Sequence, residues 1–278
     1  MTHFNMTRLA VLTFVSLLAS SGAEAASPAE EFAKHTPGST RTIDHAAWTK
    51  LLGTYVMPSA DGVNRVRYAD FKQNGHVALK AYVKSLEAAG PSGLDLPEQF
   101  AFWANLYNAK TIDVVLDAYP VKSIKDISLG GSLTAALTGG PWKAKVLKVG
   151  SRDLSLDDIE HGILRPVFKD PRVHYAVNCA SIGCPNLLTA AFTGATLNDQ
   201  LDAAARSYVN HPRGFAVTDG SITASSIYNW FSVDFGGNAA GVLVHARQYA
   251  EPALKRKLDS ITTIPDYGYD WSLNDAGR

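Results

Sequence analysis

Only two of the 278 residues are cysteine, and both lie in one short stretch, at positions 179 and 184. A disulfide-stapled scaffold needs more than that, so the core has to carry stability by itself. A charge excess of either sign is missing too, since 26 Lys and Arg balance 26 Asp and Glu. A neutral chain has no electrostatic pull toward nucleic acid or an anionic membrane, and neither is expected as a partner. Beyond the first 25 residues no apolar run is long enough to span a bilayer. Several chemical signatures are absent as well. The pairs Gly130-Gly131 and Gly139-Gly140 lack the Lys-Ser/Thr or G-x-G-x-x-G context of a nucleotide loop. No G-x-S-x-G elbow, H-E-x-x-H helix, internal repeat or low-complexity tract occurs.

What is present begins with a targeting pattern. Arg8, an uncharged apolar run over residues 9–18 and the small-x-small triplet Ala23-Glu24-Ala25 read as a signal peptide of residues 1–25. The mature chain is expected to start at Ala26, in the periplasm or outside the cell, with no membrane span after signal removal. Residues 26–42 read as a loosely held arm. Helical spacing then runs through Trp48, Leu51, Leu52 and Tyr55, and again from Val77 to Ala89. Gly90-Pro91-Ser92-Gly93 is the best internal break, separating an N-terminal helical segment (26–93) from a main domain (94–278). The strongest helix starts at Leu96-Pro97 and ends before Tyr119-Pro120, apolar on nearly every side and therefore central. A hairpin is expected around Gly150. Ser155 caps the next helix with an acidic first turn. A further helix covers 196–209, and a second hairpin turns at Asp219-Gly220. The class is α+β, helix-rich with a small antiparallel sheet.

The cysteines sit in Arg172-Val-His174-Tyr-Ala-Val-Asn178-Cys179-Ala-Ser-Ile-Gly-Cys184-Pro185. Val173, Tyr175, Val177 and Cys179 alternate with His174, Ala176 and Asn178, which reads as a strand ending in a small-residue turn. Cys179 at a strand exit suits a nucleophile, while two thiols five residues apart equally suit a small disulfide. Strand parity sends His174 to the opposite face from Cys179, leaving His161 on the capped helix as the candidate base. Asn105 and Asn108 share one face of the apolar central helix, where a buried carboxamide must find partners; they are either structural clamps or groups that orient the base. His161, His174, Cys179 and Cys184 are compatible in type with zinc, but C-x₄-C is a loose spacing and the histidines sit in no matching motif. No metal or cofactor is assigned.

With these residues laid out, the chain resembles the family called domain of unknown function five-four-seven, over roughly residues 95–210. Three segments in order carry the resemblance. They are Phe102-Trp103-Ala-Asn105-Leu-Tyr107-Asn108, then Asp158-Ile-Glu160-His161-Gly-Ile-Leu-Arg165, then the cysteine stretch from Arg172 to Pro185. The tail Tyr269-Asp270-Trp271-Ser-Leu-Asn274 also resembles bacterial members. Within these segments Tyr107, Glu160, Arg165, His174 and Asn178 are the candidate binding residues. In plant relatives the second cysteine position resembles serine while the first stays cysteine, which implies a role for Cys179 beyond pairing with Cys184.

Two readings follow. In the first, Cys179 is the nucleophile of an acyl transferase or hydrolase acting on an amide or thioester of a peptide-like or small-molecule substrate. His161 is then the base, and Asn105 and Asn108 assist. Because His161 precedes Cys179, a papain-like or transglutaminase-like arrangement would be permuted. In the second, Cys179–Cys184 is a structural disulfide in a non-catalytic binding or assembly module. The substrate and the oligomeric state are not encoded in any motif.

Overall fold

The central helix α5, Leu96–Ala118, sets the architecture of the computed structural model, which describes residues 26–129, 140–218 and 221–277. Asp95 caps it by accepting the backbone N–H of Glu98 at 3.0 Å, and Pro97 occupies its first turn, where a missing N–H costs nothing. Phe100, Phe102, Trp103 and Leu106 are fully enclosed. Burial of each such side chain contributes about 1.5–3 kcal/mol. Before it come α1 (Pro28–Phe32), α2 (Ala46–Tyr55), α3 (Tyr68–Asn74) and α4 (His76–Ala88). The arm expected at 26–42 is therefore partly ordered: Ser27 forms a capping box with Glu30, and Phe32 packs edge-on against Trp103 at 4.9 Å. That apolar anchor outweighs the polar composition around it.

Polar residues on α5 tie down the loops around it. Glu98 accepts Ile43 N–H at 2.9 Å and Gly194 N–H at 2.7 Å, and Gln99 donates to the carbonyl of Lys34 at 2.8 Å. Both side chains are buried; the Glu98 carboxylate is met by backbone N–H groups and the Gln99 amide nitrogen by backbone carbonyls, while the Gln99 side-chain oxygen has no hydrogen-bond partner.

The sheets are small. β1 (Val56–Met57) pairs with β2 (Arg65–Val66), and β3 (Leu147–Val149) pairs with β4 (Arg152–Leu154) across a turn where Gly150 holds φ 62°. β5 (Phe215–Thr218) and β6 (Ser221–Ser225) are antiparallel, while β7 (Asp266–Gly268) adds to β6 in parallel. The fold is α+β and helix-rich, with that parallel strand pair added to the expected antiparallel set. A parallel neighbour needs a long crossover. Here α9 (Ser226–Trp230), α10 (Ala239–Tyr249) and α11 (Pro252–Asp259) supply it.

Two apolar cores result. The larger gathers α2 to α5 with Leu154, Ile163 and Leu197; the smaller joins α8 (Leu197–Val209) to α9, α10 and the three-stranded sheet. Val173 and Val177 belong to the first and Tyr175 to the second, so the cysteine stretch lies on the seam. No helix among the described residues is long and apolar enough to cross a membrane. The expected signal peptide, the Gly130-Gly131 to Gly139 segment and the Asp219-Gly220 turn lie outside the described residues.

Candidate functional site

The expected strand at 173–179 is not formed. Val173–Ala176 winds as a helical turn, α7, and only from Val177 does the backbone extend. The cause is local. Asp170 accepts the N–H of Arg172 at 2.8 Å, and Pro171 accepts the N–H of His174 at 3.2 Å, so the chain turns before alternation can take hold. Residues 173–177 are buried on both sides, which makes the apolar pattern uninformative about parity. The inference that His174 points away from Cys179 falls with the strand.

His174 and Cys179 line the same cavity, of about 190 Å³, together with Glu160 and His161. Glu160 and His161 are delivered by α6 (Leu156–Ile159), which continues as a π-helix over Glu160–Phe168. π-helical turns are rare and concentrate at functional sites. Ser155 starts this element with a reciprocal capping box to Asp158. The neighbouring acid, Asp157, turns into the cavity instead.

His174 is the better-held imidazole. Its side chain is 1% exposed, its Nε2 lies 2.7 Å from an Asp234 carboxylate oxygen, and its ring stacks on Phe231 at 4.3 Å. Burial pushes the Asp234 carboxyl up, but the bonds from His174 and from Arg165 Nε at 2.6 Å outweigh it and hold that carboxyl well below the usual range. Asp234 is thus a carboxylate, Nε2–H donates to it, and Nδ1 is left as the basic nitrogen. His161 is 37% exposed, and its Nδ1 accepts from Arg165 Nη1 at 3.3 Å. Glu160 Oε1 stands 3.8 Å from Nδ1 of both rings, too far for a hydrogen bond but close enough to act through its charge. Burial and the neighbouring Glu160 charge push the Tyr107 hydroxyl well above its ordinary range and keep it protonated. Burial also pushes the Asp157 carboxyl up; His161 opposes this and Glu160 adds to it.

Cys179 and Cys184 are joined in a disulfide that faces this cavity. Tyr269 Oη lies 3.0 Å from each sulfur, Ser181 Oγ lies 3.3 Å from Cys179 Sγ, and the Cys179 N–H points at Cys184 Sγ at 2.9 Å. Burial raises the Tyr269 hydroxyl far above its ordinary range, so it stays a donor. Of the two sulfur residues Cys184 is the buried one and Cys179 the more open. With both thiols in the bridge, the Cys-His zinc set of the sequence reading has no thiolate to offer here. The described metal-type cluster lies elsewhere, at His76, Asp113 and Asp117, where Lys80 Nζ reaches both carboxylates and Lys110 Nζ reaches Asp113. Ammonium groups already meet that charge.

The loop carrying the sulfurs is rigidly supported. Ala180 sits at φ 60°, a left-handed conformation costing an L-residue about 1–2 kcal/mol. Asn178 holds it there by accepting the Ala180 N–H at 2.8 Å and donating to the Pro185 carbonyl at 2.7 Å. The C-terminal tail straps the loop through Ile182 N–H to Ser272 and Gly183 N–H to Asp270, both at 2.8 Å. A Cβ at Gly183 would meet the Asp270 backbone nitrogen at 2.8 Å, so only glycine fits beneath the strap.

The sequence candidates therefore separate. Tyr107, Glu160, His161, His174, Cys179 and Cys184 converge on one cavity. Asn105 and Asn108 do not line it. Asn105 brackets the backbone of Phe192 at 2.8 and 3.0 Å, and Asn108 brackets Ala176 and Asn178 at 2.8 Å each. Asn178 is a strut of the loop, and Arg165 stands behind Phe231, bonded to Asp234. Asp234 and Asp157 escaped the sequence reading. The first is 60 residues from its histidine with no local signal, and the second read as a helix-dipole acid. The cavity's outer wall is aromatic, with Trp230 against Trp271 at 5.6 Å, Trp142 against Trp271 at 5.7 Å, and Tyr269 touching both Trp230 and Trp271.

Residues 91–209 match a family model described as Protein of unknown function, DUF547. No curated protein matches the chain. No solved structure matches it either.

Proposed function

We propose that this chain, of which residues 91–209 match the DUF547 family model, is a cysteine-dependent acyl transferase or hydrolase acting on an amide or thioester. The observation that carries the reading is the convergence of Cys179 with the Asp234-supported His174 on one small cavity. The base differs from the one expected, because His161 has its Nδ1 engaged by Arg165 whereas His174 keeps Nδ1 available.

The bridged form holds no nucleophile, so a dithiol reductant opens the bond first. The reductant is oxidised to its disulfide, and Cys179 and Cys184 each gain a proton and an electron. His174 Nδ1 then takes the Cys179 thiol proton. The thiolate attacks the carbonyl carbon, forming a C–S bond and an oxyanion that the Tyr269 hydroxyl is placed to meet. Collapse breaks the bond to the amine or thiol leaving group, which takes the proton back from the imidazolium. Water, giving a proton to the same nitrogen, attacks the thioester carbon; the C–S bond breaks, the acid leaves and the proton returns to the Cys179 sulfur.

A second reading has its own support. Both cysteines are in the bridge, and closing so small a loop stabilises a chain by about 2 kcal/mol, which suits a structural disulfide in a binding module. A panel of aminoacyl p-nitroanilides and acyl thioesters, assayed with and without dithiothreitol, separates the two. The thiol enzyme turns over only with reductant and loses turnover in Cys179→Ser and His174→Ala. Absence of reductant-dependent turnover, with loss of stability on reduction, favours the structural bridge.

A further inference from the structure

The formal charges in the cavity wall are all of one sign. Asp157 and Glu160 line it, and no lysine or arginine does so among the described residues. The nearest ion-pairing contact of Asp157 is His161 Nε2 at 3.9 Å, on a side chain 37% exposed. Burial, Glu160 and Asp158 disfavour its charge while His161 and Lys143 favour it; Lys143 does not line the cavity, so the carboxylates have no full cation against them within the wall. The same cavity is lined by Trp142, Trp230 and Trp271. Two rings of this region already attract cations from outside the cavity: Lys125 Nζ lies 5.2 Å from the Trp271 ring centre, and the Arg165 guanidinium lies 5.0 Å from that of Phe231. A ligand carrying its own positive charge on an apolar body satisfies both halves of the site.

We infer that the cavity binds a cationic amine, its ammonium group set against Asp157 and Glu160 and its carbon body laid along the tryptophan wall. This takes from the proposed function only that the substrate sits here. An amide or thioester substrate would then carry a protonated amine as its recognition handle. An anionic ligand is disfavoured by the same charges, and a neutral one leaves the carboxylates uncompensated.

The test is binding, measured by calorimetry and tryptophan quenching on the disulfide-closed protein and on Cys179→Ser, so that neither result needs thiol chemistry. The ligands are 2-phenylethylamine, its neutral counterpart 2-phenylethanol, the anion 3-phenylpropionate and cellobiose. The amine is expected to bind about tenfold tighter than the alcohol, as one partly buried ion pair allows, with the anion weakest. Asp157→Asn should remove most of the preference for the amine over the alcohol. Trp230→Ala, at an exposed rim position, should weaken both ligands. Equal affinity for amine and alcohol overturns the inference, as does cellobiose binding without amine binding, or no saturable binding by any ligand. Turnover failing while the amine preference holds would sink the thiol enzyme and leave the amine site standing.

Discussion

Asn108 uses both ends of its carboxamide on backbone, donating to the Ala176 carbonyl and accepting the Asn178 N–H. It thereby fixes both ends of the extended segment that leads into Cys179. Asn105 does the same for Phe192, away from the cavity. Truncation strands two buried backbone groups in each case, at about 1–3 kcal/mol per group. Asn108→Ala and Asn105→Ala are both expected to lower urea-unfolding stability by about 3 kcal/mol. Only Asn108→Ala should also change thiol reactivity after reduction, because only it positions the cysteine loop. If both variants unfolded at the wild-type midpoint, the clamp account would fail.

At the level of elements, a buried polar trio joins three helices of the smaller core. Tyr175 on α7 reaches the His245 Nε2 on α10 at 2.9 Å and the Tyr228 hydroxyl on α9 at 3.1 Å. Burial pushes His245 down to about 4, against the opposing pull of Asp170 and with help from His174 and Arg172. Its folded value therefore lies below the unfolded one of about 6.5, and the unfolded chain binds the extra proton between the two. Stability from this group is complete above about pH 6.5 and is lost as the pH falls toward 4, on the order of 3 kcal/mol in all. His245→Gln should flatten that part of a stability-versus-pH curve measured by chemical denaturation; an unchanged slope would contradict the assignment. The same region shows where the sequence was legible. Helix α5 declared itself through Pro97 and the stop at Tyr119-Pro120, and the 147–154 hairpin declared itself through Gly150. Residues 173–179 misled, because a stretch buried on every side between two cores alternates without being a strand, and the turn set by Asp170 and Pro171 decided its shape.

Across the whole molecule, the site exists only where distant parts meet. The π-helix brings Glu160 and His161, α7 brings His174, the turn after α9 brings Asp234, and the C-terminal tail brings Tyr269 and straps the loop of Cys179. The pieces named by their motifs were visible in sequence. The Asp234–His174 pairing was not, since it depends on the smaller core packing against the larger. The central claim is that Cys179, once freed from Cys184, is a thiol activated by His174. Its most direct test is iodoacetamide labelling read by peptide mass spectrometry, before and after mild reduction, in the wild type and in His174→Ala. The account predicts no labelling of the native bridged protein. After reduction, Cys179 should label ahead of the more buried Cys184, and at a rate that falls at least tenfold at neutral pH in His174→Ala, since an adjacent imidazole raises the thiolate fraction. Labelling of Cys184 first, or of Cys179 at the same rate in both proteins, would contradict it.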